Sequence, residues 1–100
     1  MKKELVKKIA GYLTGTPVEA AWIFGSYSRS EEKKNSDIDL LVKFSSEAPV
    51  TLLKYVHLIN ELQKLTGKKI DLVEEGQLKK FAVKTANNEK ILIYERKTKR

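Results

Sequence analysis

Two aspartates one residue apart, Asp37 and Asp39, open an apolar run that continues through Leu40, Leu41, Val42 and Phe44. Upstream, another apolar run ends at Gly25-Ser26, and ten residues, Tyr27 to Ser36, separate the two features. Side chains alternate along a strand, so Asp37, Asp39, Leu41 and Lys43 share one face while Ile38, Leu40, Val42 and Phe44 share the other. The second set reads as a core face, which leaves both carboxylates at the mouth of a buried strand. Their Cα atoms would be roughly 6.6–6.8 Å apart, and unneutralised they would repel. Carboxylates so placed could hold one divalent cation, or two about 3.5–4 Å apart. Gly25 permits a sharp turn and close backbone approach, and a helical turn after it would aim free N–H groups at an anion. Ser26 adds a hydroxyl and Arg29 a guanidinium suited to phosphate oxygens. Together these residue types describe a triphosphate held beside a metal ion.

The surrounding periodicities say what must position them. Leu5, Val6, Ile9 and Leu13 give residues 2–14 the stripe of an amphipathic helix, ended by Gly15-Thr16-Pro17. Residues 19–24 are nearly all apolar and read as a strand buried on both faces, with Trp22 and Phe24 on one face and assigned to core packing rather than to a bound base. After a loop at 45–49, a helix beginning near Pro49 carries Leu52, Val56, Ile59, Leu62 and Leu65 and stops at Gly67. His57 is the only histidine; with no second ligand or acid spaced to help it, it reads as an exposed helix residue. Residues 69–73 make a third strand with Ile70 and Leu72 facing the core and Asp71 opposite them. A parallel crossover from the second strand would bring Asp71 beside Asp37 and Asp39. A helix from Leu78 to about Ala86, a last strand over 89–94 and a basic tail at 96–100 complete the chain. With antiparallel pairing expected between the first two strands, the fold class is α+β: a small mixed β-sheet backed by helices.

One hundred residues make a single domain over 1–100, and 41% apolar with 33% charged residues suits a folded, cytoplasmic protein. No segment approaches the roughly 20 apolar residues of a membrane span, and the first residues lack a signal peptide's apolar run. The absence of cysteine removes disulfide and thiolate chemistry. Twenty Lys and Arg against thirteen Asp and Glu leave +7, which favours anionic partners without choosing among nucleotide, nucleic acid and acidic protein.

Gly25-Ser26, ten residues, then Asp37-Ile38-Asp39 resembles the signature of the nucleotidyltransferase superfamily that includes DNA polymerase β. The strings Phe-Gly-Ser-Tyr-Ser-Arg and Ser-Asp-Ile-Asp-Leu look most like the minimal nucleotidyltransferases (MNT proteins), which are paired with HEPN ribonucleases in toxin–antitoxin systems. The resemblance implies the polymerase β-like nucleotidyltransferase fold. It implies that Asp37, Asp39 and Asp71 form the catalytic and metal-binding set for Mg²⁺, with Gly25, Ser26 and Arg29 on the nucleotide. It also implies transfer of AMP from ATP to a tyrosine of a HEPN-type ribonuclease toxin, the chain acting as antitoxin, with no membrane partner and no direct nucleic-acid binding expected. Two other readings fit the same residues. One is an antitoxin or binding subunit that neutralises by occlusion with little or no catalysis. The other is a nucleotidyltransferase subunit for a small-molecule or nucleic-acid acceptor. Tyr12, Tyr27, Tyr55 and Tyr94 are conceivable self-modification sites, but each has a simpler packing or surface role.

Overall fold

The computed structural model describes residues 3–25, 33, 37–45, 50–74 and 90–96. Ser26, Arg29 and the helix expected at 78–86 lie outside the described residues, as do most of the charged loop and the basic tail. Helix α1 (Lys3–Leu13) buries Leu5, Ile9 and Leu13, the stripe its four-residue spacing predicts. Thr16 then turns the chain: its hydroxyl donates to the Leu13 carbonyl at 2.6 Å and accepts from Val18 N–H at 3.3 Å. Strands β1 (Val18–Phe24), β2 (Ile38–Phe44), β3 (Ile70–Glu74) and β4 (Ile91–Glu95) form one sheet in the order β3-β2-β1-β4. β1 pairs antiparallel with β2 and β4, and β2 pairs parallel with β3 across helix α2 (Leu52–Thr66). The sheet is therefore mixed, as expected. Among the described residues no helix is long and apolar enough to cross a membrane.

Both helices contribute to a core on one face of the sheet, built on Ala21 and Ile23 of β1, Ile38, Leu40 and Val42 of β2, and Ile70 and Leu72 of β3. Ile38, Leu40 and Val42 are wholly buried and Phe44 packs against the core, as the alternation read along β2 expects, but Leu41 on the carboxylate face is buried as well. Helix α2 departs from the sequence reading in two ways. It begins at Leu52 rather than Pro49, because the Thr51 side chain caps it by accepting from Lys54 N–H at 3.2 Å. It also presents a rotated face. Tyr55, Leu58, Ile59 and Leu62 meet the core, while Leu52 and Leu53 are 78% and 81% exposed and Val56 and Leu65 are also exposed.

Tyr55 accounts for the rotation. Its ring meets Phe44 edge-on at 6.2 Å, and its hydroxyl donates to the Leu72 carbonyl, so one side chain ties α2 to the end of β2 and the middle of β3. Burial, and then the Glu74 and Asp71 carboxylates, push this hydroxyl above its ordinary value of about 10. Below that pH both the folded and unfolded chains keep the proton. Above it the unfolded chain ionises first and binds fewer protons than the native one, so stability falls as pH rises. Tyr55→Phe is expected to cost about 1 kcal/mol near neutrality, because the Leu72 carbonyl loses its donor. The same variant should flatten part of the alkaline decline seen in urea midpoints above pH ~10. Tyr12, whose hydroxyl is raised by burial and by Glu61, contributes to the decline with the same sign.

Candidate active site

The carboxylates gather where β1 ends and β2 and β3 begin. The Ile38 N–H donates to the Lys69 carbonyl at 2.9 Å, which locks the starts of β2 and β3 together. The parallel register then pairs Asp39 with Asp71, and the antiparallel register pairs Asp39 with Phe24. Registered residues share a face, so the Asp39 and Asp71 side chains leave the sheet on the same side, opposite the helices, from Cα atoms about 4.8 Å apart. Asp39 is partly buried, whereas Asp71 and Asp37 are exposed, with Asp37 one residue ahead of β2. Like charges opposed across two strands destabilise a sheet.

Gly25 is the second component. It follows β1 with φ at +74°, a left-handed conformation that side chains disfavour, and a Cβ placed on it would lie 2.3 Å from Asp39 Oδ2. The glycine therefore serves a specific purpose: it clears the space that the Asp39 carboxylate occupies at the turn. That was legible in the sequence as a need for close approach, although the group approaching is the aspartate.

Among the described residues no three His, Cys, Asp or Glu side chains cluster closely enough to cage a metal by themselves. Magnesium does not require such a cage: it binds through one or two carboxylates together with substrate phosphates and water. A pair of hard oxygen donors beside a turn that admits backbone close to a ligand fits that chemistry. Asp37 and Asp39, with Asp71 alongside, are the residues that could supply them.

Trp22 and Phe24 correct the sequence reading. They are half-buried and pair with Leu41 and Asp39, on the carboxylate face, while their neighbour Ile23 is the residue in the core. An unbroken apolar run conceals which of its faces meets the helices. Lys90 was missed altogether: its ammonium lies 4.4 Å from the centre of the Trp22 ring.

Residues 7–99 match the family model described as polymerase beta, nucleotidyltransferase. The protein adenylyltransferase MntA of Thermococcus cleftensis is 38% identical over 92 residues, which is 92% of this chain and 84% of that protein. A solved structure provisionally named a minimal nucleotidyltransferase is 28% identical, with a TM-score of 0.75 and 89% of each chain covered. The fold is also shared, at a TM-score of 0.72 and 18% identity over 96% of this chain and 74% of the other, with a chain from a complex of tri-AMPylated Shewanella oneidensis HEPN toxin and MNT antitoxin.

Proposed function

Because the chain belongs to the polymerase beta nucleotidyltransferase family, we propose that it transfers AMP from ATP to a tyrosine hydroxyl of a HEPN-type ribonuclease toxin and so acts as its antitoxin. The observation that carries this reading is the registered pair Asp39 and Asp71 set against the Gly25 turn, on the sheet face away from the core. The name of the Thermococcus cleftensis relative supports a protein acceptor, and the AMPylated HEPN complex supports the class of partner.

In this reading Gly25, Ser26 and Arg29 hold the triphosphate, and Asp37 and Asp39, with Asp71 completing the set, hold Mg²⁺. When bound, Mg²⁺ supplies positive charge to the phosphate oxygens as charge shifts during displacement. A tyrosine hydroxyl has an ordinary pKa of about 10 and is a poor nucleophile at neutral pH, so its proton must be taken. The exposed Asp71 carboxylate takes it. The acceptor oxygen bonds to the α-phosphorus, the bond from that phosphorus to the bridging oxygen of the β-phosphate breaks, and pyrophosphate leaves with the electron pair. The reaction belongs in the cytoplasm, where ATP and a ribonuclease meet.

The test is incubation with α-labelled ATP, Mg²⁺ and a HEPN-type ribonuclease protein. Label is expected on a tyrosine of that protein. No label on it under any divalent cation would overturn the reading, and label on RNA or a small molecule instead would transfer it to a different acceptor.

A further inference from the structure

Lys90 stands one residue ahead of β4, at the edge of the sheet that also carries Gly25 and Asp39. Ile91 pairs with Ile23, whose side chain is in the core, so the preceding residue falls on the opposite face, where its ammonium lies over Trp22. Continuing the registers gives a row across all four strands: Asp71 on β3, Asp39 on β2, Phe24 on β1 and Lys90 leading into β4. With neighbouring strands about 4.8 Å apart, Lys90 is roughly two spacings from Asp39, on the side away from Asp71. Lys90 is partly buried and, among the described residues, forms no ion pair.

We propose that Lys90 binds the β- and γ-phosphates of the nucleotide and the pyrophosphate they become. The proposal rests on the adenylyltransferase reading above. In-line displacement puts the acceptor oxygen and the leaving oxygen on opposite sides of the α-phosphorus. With Asp71 at the acceptor hydroxyl and Asp39 at the centre of the row, the leaving group departs toward β1 and β4. Lys90 is the cation the row supplies there. A charge-assisted hydrogen bond to phosphate is stronger than the attraction of an aromatic face, so phosphate draws the ammonium from the ring. Trp22 is the only tryptophan, and its fluorescence therefore reports the movement.

The experiment uses the full chain with Mg²⁺ and three probes: a non-hydrolysable ATP analogue, AMP and inorganic pyrophosphate. Binding is followed by calorimetry and by Trp22 fluorescence. Lys90→Gln should weaken the ATP analogue and pyrophosphate about tenfold or more and leave AMP within about twofold, while Lys90→Arg restores most of the loss. In the wild-type chain the ATP analogue should change the Trp22 signal more than AMP does. Unchanged binding of the analogue and pyrophosphate to Lys90→Gln would overturn the proposal. So would an equal loss for all three probes with a lowered melting temperature, the mark of a lysine that merely props the tryptophan. A wild-type chain that binds neither the analogue nor AMP would remove the adenylyltransferase reading along with it, whereas binding that ignores Lys90 would remove this proposal alone.

Discussion

Asp39→Asn is expected to lower AMP transfer by about a thousandfold or more, some 4 kcal/mol of transition-state stabilisation, without lowering the melting temperature. Asparagine keeps the shape of the side chain and one carbonyl oxygen but removes the charge. Metal affinity depends on that charge. The melting temperature is expected to hold because this charge stands opposite Asp71 across the parallel register, where the two repel. A variant that is at least as stable and yet inactive is the pattern of a residue retained for function against its own cost. Incorporation of labelled AMP and a thermal melt measure the two quantities side by side; activity within tenfold of wild type would place the metal-binding carboxylate elsewhere. Toxin neutralisation in cells adds a third readout. An antitoxin that works by occlusion would still protect when carrying Asp39→Asn, whereas one that works by transfer would not.

The pairing that brings Asp71 to Asp39 was accessible from the chain itself because two periodicities of different length point to it. Period-two alternation in Ile38, Leu40 and Val42 set the face, and the helix between β2 and β3 made a parallel crossover the simplest connection. The rotation of α2 was not accessible in that way. Leu52, Val56, Ile59 and Leu62 make as regular a helical stripe as Tyr55, Leu58, Ile59 and Leu62, and hydropathy ranks leucine and valine above tyrosine. The choice is made in three dimensions, by a hydroxyl that reaches the Leu72 carbonyl and a ring that meets Phe44. The face taken by Trp22 and Phe24 is hidden for a related reason: a strand apolar on both faces gives no alternation from which to infer the side that meets the helices. Lys90 has no sequence signal at all. One lysine among many acquires its position from the β1–β4 register, a contact between segments far apart in the chain.

Gly25→Ala should remove most activity while costing only modest stability, and the two losses should share one cause. At φ +74° an alanine is strained by roughly 1–2 kcal/mol wherever it stands. Its Cβ would also meet Asp39 Oδ2 at 2.3 Å and Asp39 Cγ at 3.3 Å, so the carboxylate must swing away from the turn. A displacement of about 1 Å in a positioned group costs on the order of a hundredfold in rate, and that is the expected loss of AMP transfer. A double-mutant cycle separates the collision from the backbone strain. In an Asp39→Ala background the carboxylate is gone, so Gly25→Ala should cost less stability there than in the wild-type chain, by about 0.5 kcal/mol or more. Strictly additive melting shifts would mean that the glycine serves only the turn. A smaller cost in the Asp39→Ala background, together with lost transfer in the single Gly25→Ala variant, would tie the left-handed turn to the placement of the carboxylate on which the chemistry depends.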